Sequence, residues 1–301
     1  MARPADYLAG IGYASIFGLS FVATKGALEV LAPFELLFLR FALAALLLAV
    51  LASFRLIRLD YRGKPWAGLA LVCAFQPLLY FTCETFGVRE SSASTAGIVI
   101  GALPALGTVL SALILGERVG LFQSLFLALS IGGVAVIAVF GGAAGGEAGS
   151  LAGFLLLLGA VASAAFYNVF SRRSSVLFSP VETTFAMMAS GAVAFGILAL
   201  ATGQVGSFSD LPARAMAVIP GIIYLGALSS VLAFFLINFT LSRLRVSQSI
   251  VFSNLTTVIA VVAGVALRGE AFGVAQLAGS LMIVAGVWGT NSFAPGTARA
   301  A

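Results

Sequence analysis

Gly116-Glu117-Arg118-Val119-Gly120-Leu121-Phe122-Gln123 returns later in the chain as Gly269-Glu270-Ala271-Phe272-Gly273-Val274-Ala275-Gln276. Four identities share one offset of 153 residues, which also carries Gly133 onto Gly286. Each copy follows one apolar run of helix length and precedes another. A repeat near half the length of a 301-residue chain points to duplication. How the two copies are oriented then decides the fold.

Composition supplies the solvent. The chain is 61% hydrophobic and 9% charged, with a mean hydropathy of +1.12. Soluble domains carry about 25% charged residues, so a soluble protein of this make-up could not cover its surface with polar groups. This reads as an integral membrane protein. In lipid every backbone polar group must bond internally, which leaves helices or closed barrels. Barrel strands alternate apolar and polar residues. Runs such as Leu36 to Leu51 do not, so the spans are helices.

The residues absent narrow the chemistry. There is no histidine, so His-based metal sites, catalytic triads and His proton relays are excluded. Cys73 and Cys83 share one apolar run, where a disulfide is geometrically unfavourable, and read as packing residues. No phosphate-binding GxxxxGK[ST] loop occurs, so the chain hydrolyses no ATP by itself. The net charge of +5 has no basic cluster interleaved with aromatics, so it reads as membrane topology and not as a nucleic-acid partner. No cofactor is called for.

A spanning helix needs about 20 apolar residues. Ten runs qualify, at 7–26, 34–54, 66–87, 92–115, 120–140, 150–171, 180–202, 215–241, 247–267 and 272–293. The first lacks a small-x-small cleavage site and is kept as a membrane helix, not a signal peptide. Pro33 and Pro180 open the second and seventh, as Pro favours the first helical turn. The Gly-rich stretch 141–149 separates the halves. The expected architecture is all-α, with a first five-helix repeat at 1–143, a second at 149–293 and a cytoplasmic tail at 294–301.

Lys and Arg set the orientation. With the N-terminus inside, eleven cations (Arg3, Arg55, Arg58, Arg62, Lys64, Arg118, Arg172, Arg173, Arg243, Arg245, Arg299) fall in the cytoplasm and four (Lys25, Arg89, Arg214, Arg268) outside. Arg40 lies within a span. Both chain ends are then expected in the cytoplasm, in a cell (inner) membrane. Five helices per half is an odd number, so the second half enters from the opposite side. That is an inverted repeat, common in transporters. Lys25 pairs with Arg172, Pro33 with Pro180 and Glu35 with Glu182 at an offset of 147; Phe81 pairs with Phe234 and Phe86 with Phe239 at 153.

Gly101-Ala102-Leu103-Pro104-Ala105-Leu106 leading to Leu115-Gly116-Glu117-Arg118, then Gln123 and Gly132-Gly133, resembles the repeat signature of the drug/metabolite transporter superfamily, EamA type. Ile16 to Val22 is similar to that family's first-helix opening, with Phe17 in place of a tryptophan. Arg40, seven residues after Pro33, matches its second-helix arginine, and Ala164 to Arg173 resembles part of its sixth helix. Within the superfamily the chain looks most similar to bacterial aromatic amino acid exporters. The resemblance implies ten helices and a central cavity lined by the first, third, fourth, sixth, eighth and ninth. The fifth and tenth would be peripheral, at a candidate homodimer contact. Thr257 departs from the pattern, standing where the first half has Pro104.

Charged groups in hydrocarbon cost roughly 2.5–3.5 kcal/mol, so polar residues at depth face protein or water. Arg40, with Glu84 or Glu35 as partner, either fixes a gate, meets a substrate carboxylate, or makes an internal ion pair. Ser249, Ser253 and Thr256 form a polar stripe on the ninth helix, with Asn254 and Thr257 alongside. They suit a zwitterion, or they bond their own helix. Gly97 and Gly101 read as close packing. Gln76-Pro77 in the third helix maps onto Ser229-Ser230 in the eighth, and either helix can bend there. Tyr80, Tyr167, Asn168, Tyr224 and Asn238 complete the candidate substrate groups, whereas Tyr7, Tyr13 and Trp288 read as interface anchors. Glu117 and Glu270 each sit in a turn before a helix start, where a carboxylate is favoured.

An apolar cavity with a few amides and hydroxyls suits neutral amphipathic solutes. Phosphate esters want Arg or Lys clusters. The expectation is a secondary transporter exporting amino acids, aromatic or apolar, by alternating access. A broader drug or metabolite exporter is the alternative. An intramembrane enzyme is the distant one, because no deep pair of acids exists.

Overall fold

The computed structural model describes residues 4–115, 120–140, 150–204, 218–244 and 252–292. Among them all regular structure is helical. We number the spans α1 (Pro4–Leu28), α2 (Pro33–Ser53), α3 (Trp66–Arg89), α4 (Ala93–Ile100 and Leu103–Leu115), α5 (Leu121–Phe140), α6 (Leu151–Ser174), α7 (Pro180–Ala201), α8 (Val218–Arg243), α9 (Ser253–Arg268) and α10 (Val274–Ser292). Six of these, α1 to α3 and α6 to α8, are each long and apolar enough to cross a bilayer. The surface agrees. Leu46, Leu200 and Leu267 are each more than 60% exposed, and a continuous apolar exterior of this kind belongs in lipid.

Packing relates the two halves. α5 packs on α10 and α2 on α7; α1 packs on α8 and α9 as α6 packs on α3 and α4. Exchanging each helix with the one five places on reproduces the set. Phe81 and its repeat mate Phe234 meet each other, ring centroids 5.8 Å apart and both buried.

The helix ends repeat too. Lys25 donates to the Val88, Arg89 and Ser91 carbonyls at the end of α3. Its mate Arg172 donates to the Leu241 and Ser242 carbonyls at the end of α8, at 3.0 and 2.7 Å. A cation there satisfies orphan carbonyls and complements the helix dipole. Glu35 accepts from Ala32 N, and Glu182 from Ser179 N, at the starts of α2 and α7. Gln123 accepts from Gly120 N at 3.4 Å and Gln276 from Gly273 N at 3.0 Å. These glutamines cap α5 and α10, which explains their place in the repeat. Gly133 and Gly286 both lie in the α5–α10 seam, where an added Cβ would sit 2.6 Å from a backbone oxygen of the other helix.

The Glu270 expectation needs correction. Its carboxylate serves α4 of the other half, not its own α10. It accepts from Ala93 N and Ser94 N, both 2.8 Å, and from Ser94 Oγ at 2.5 Å. The preceding Gly269, at φ +64°, ends α9 in the left-handed region and turns the chain back over α4. Glu117 lies outside the described residues.

Three spans are not plain α-helices. α4 breaks at Gly101–Ala102, because Pro104 has no N–H to give the Ile100 carbonyl one turn back. The span expected as one helix is therefore two. α9 runs unbroken through Thr257. α3 is kinked within Ala74–Leu79, where Gln76 leaves the helical region at φ −148°, ψ 114°. α8 instead widens to a π-helical turn at Tyr224–Ala233 without a proline. The Phe75 carbonyl near the α3 break is met by Ser163 Oγ of α6 at 2.6 Å. Such widened turns concentrate at functional sites.

Candidate functional site

The kink of α3 borders a partly open cavity. Its volume is about 70 Å³, several times what one water needs. α1, α3, α4, α6, α8 and α9 line it, and α2 adds Arg40. The first six are the helices that the resemblance implied.

Six of the seventeen lining residues are aromatic. Tyr13, Phe17 and Phe21 come from α1, Tyr80 and Phe81 from α3, and Tyr167 from α6. Tyr13 is thus no interface anchor; it is 4% exposed and faces inward. Tyr7 and Trp288 remain at the surface. Tyr13, Phe17, Ser20 and Phe21 stand at i, i+4, i+7 and i+8, one face of a helix. That spacing carried the signal for the α1 wall, which reading residues singly missed.

Seven lining residues are polar, Ser20, Arg40, Gln76, Glu84, Asn168, Ser253 and Thr256, besides the three tyrosines. Gln76 Oε1 and Ser253 Oγ are buried with no hydrogen-bond partner among the described residues. An unmatched buried polar atom costs about 1–3 kcal/mol, so two of them on one cavity wall are poised for a ligand. Glu84 Oε2 accepts from Thr85 Oγ1 at 3.2 Å. Arg40 donates through Nε to Ser230 Oγ at 2.7 Å and through Nη2 to Ser229 Oγ at 2.8 Å. Neither Glu84 nor Glu35 forms an ion pair with it; Glu35 is turned to its own helix start.

Other expected substrate groups serve the framework. Asn238 accepts from Tyr167 Oη at 2.9 Å and Ser171 Oγ at 2.8 Å, and donates to Thr184 Oγ1. It ties α8 to α6 and α7. Tyr224 Oη donates to the Ile16 carbonyl at 2.8 Å. Thr257 Oγ1 donates to the Gly97 carbonyl at 2.9 Å, so it joins α9 to α4. Gly97 and Gly101 permit that contact: added Cβ atoms would lie 2.3 Å from Ala260 Cβ and 2.4 Å from Thr257 Oγ1. Asn254, Pro77 and Pro104 also stand off the cavity. Ser249 lies outside the described residues. Cys73 and Cys83 are free and half-buried. Among the described residues, no group of three His, Cys, Asp or Glu could hold a metal.

The family model for EamA-like transporters matches residues 5–139 and again 151–292, one copy per half. The chain belongs to the EamA-like transporter family. It is a multi-span membrane transporter and not an enzyme, and its substrate is a small molecule. An uncharacterized transporter of Bacillus subtilis, YcxC, is 37% identical over 95% of this chain and 92% of its own length. A probable terminal-alkyne amino-acid exporter of Streptantibioticus cattleyicolor is 28% identical over 87% of this chain and 85% of its own. A probable amino-acid metabolite efflux pump of Salmonella typhimurium is 26% identical, covering 91% and 90%. A crystal structure matches the EamA-like fold at a TM-score of 0.66, with 21% identity over the full length of both chains.

Proposed function

We propose that this EamA-like transporter exports amino acids, aromatic or other apolar ones, from the cytoplasm by alternating access. The observation carrying the reading is the cavity itself. Its aromatic wall matches an apolar side chain. The unmatched Gln76 Oε1 and Ser253 Oγ offer acceptors to an ammonium group. Two relatives named for amino-acid export support the same class. A broader metabolite exporter is the second reading, favoured by the predominance of apolar surface in the cavity.

In this reading the halves are inverted repeats, each rocking against the other around the cavity. The opposite courses of α1 and α6 support it. α1 ends where Lys25 meets the last turn of α3, and α6 begins there, Ser150 N bonding the Glu90 carbonyl at 3.0 Å. With both chain ends cytoplasmic in a cell (inner) membrane, Glu270 faces outward and Glu182 inward. The exposed apolar face of α5 and α10 is the surface a homodimer would use, and cysteine cross-linking at Leu277 separates that from lipid contact.

Efflux from cells preloaded with labelled phenylalanine tests the function. Expression should speed efflux, and Gln76→Ala at equal membrane abundance should slow it. Efflux indifferent to the protein would refute the reading.

A further inference from the structure

Arg40 is the largest fully buried side chain, 2% exposed, and it forms no ion pair within the described residues. The buried Glu84 carboxylate on the same cavity wall attracts it from beyond ion-pair distance, and a buried cation that is not directly paired carries a desolvation cost of several kcal/mol. Glu84 at that distance, two neutral hydroxyls and an aromatic face, Phe81 at 4.3 Å, offset it only in part. Arg carries five donors in a planar fork; Ser230 and Ser229 occupy two. A carboxylate is the better acceptor, since charge-assisted bidentate pairs are roughly twice as strong as neutral hydrogen bonds. Lysine could not reproduce that fork. Met187 stands at the position of Arg40 in the second half, 147 residues on, so the fork is supplied from one side only.

The two serines are not neutral bystanders. They lie in the widened turn of α8, Tyr224–Ala233. Arg40 therefore ties α2 of one half to the irregular turn of the other.

Resting on the exporter reading above, we propose that Arg40 is the subsite for the substrate's carboxylate, and that substrate takes the guanidinium over from Ser229 and Ser230. Occupation of the cavity then releases the α8 turn, which couples binding to movement between halves. The ligand class is narrowed to carboxylate-bearing amphiphiles. Amines and amides with the same side chain are disfavoured because they leave the guanidinium fork without a direct carboxylate partner.

The test is exchange in liposomes with purified protein, comparing phenylalanine, phenethylamine and phenylalanine amide. Wild-type protein should exchange phenylalanine about tenfold or more faster than the other two, the loss expected for a charge-assisted bond. Arg40→Gln, with monodispersity in detergent equal to wild type as the folding control, should bring phenylalanine exchange down to the level of phenethylamine. The Ser229→Ala/Ser230→Ala double variant keeps the test alive if Arg40→Gln does not fold. It should lower both KM and maximal rate for phenylalanine, because the competing acceptors and the coupled turn contact are removed together. Equal loss of acid and amine exchange in Arg40→Gln, or an unchanged phenylalanine KM in the serine variant, overturns the proposal. Wild-type protein that moves acid and amine equally overturns the carboxylate subsite but not the exporter reading. Wild-type protein that moves none of the three overturns both.

Discussion

Single residues at the helix ends hold the halves to each other. Glu270 is bound by two backbone N–H groups and a hydroxyl of α4, with Arg268 at 3.9 Å and Arg268 in turn paired with Glu29. Hydrogen bonds to a charged group are worth about 1.5–3 kcal/mol. Glu270→Gln should therefore lower thermal stability in detergent by about 2 kcal/mol. An unchanged melting temperature would mean the carboxylate contributes nothing at α4. Gly97→Ala is a second case. The new Cβ would meet Ala260 Cβ at 2.3 Å, and overpacking of this kind costs about 1–3 kcal/mol. The variant should melt earlier than wild type, whereas Gly120→Ala, with open space around it, should not. Polarity at depth was legible from the sequence; direction was not. Thr257 and Ser253 lie four residues apart on α9, yet Thr257 turns to the Gly97 carbonyl while Ser253 faces the cavity. Only the position of α4 decides that.

Elements were more legible than residues. Continuous apolar runs, N-terminal prolines and the glycine stretch at 141–149 mark the spans, because a bilayer imposes a minimum helix length. The widened turn of α8 was less so. In α3 a proline announces the irregular turn, but in α8 its counterpart is Ser229-Ser230, and only the repeat alignment points there. The break in α4 is announced by Pro104, which frees a carbonyl one turn back, whereas Thr257 at the matching place leaves α9 unbroken. The paired cation caps give an element-scale prediction. Lys25→Met and Arg172→Met should each destabilise the end of the helix they cap, α3 and α8 respectively. Hydrogen exchange should rise at residues 86–91 in the first variant and 239–242 in the second. Exchange that rises equally everywhere would contradict a local capping role.

At the scale of the whole molecule the account is one of two related halves around an aromatic cavity. In the proposed inverted arrangement, repeat positions that look alike in sequence act at opposite ends. Single cysteines at Arg62 and Gly203, in a background lacking Cys73 and Cys83, should react with an impermeant reagent from opposite faces of the membrane, Arg62→Cys from the cytoplasm. Labelling of both from one face would break the inverted arrangement. The central claim, export of apolar amino acids, is tested most directly by counterflow in liposomes. A panel of labelled solutes would be run with and without a pH gradient. The account predicts saturable exchange of phenylalanine and leucine well above that of arginine, glutamate and sugar phosphates. Absence of saturable flux, or equal flux of every solute in the panel, would contradict it.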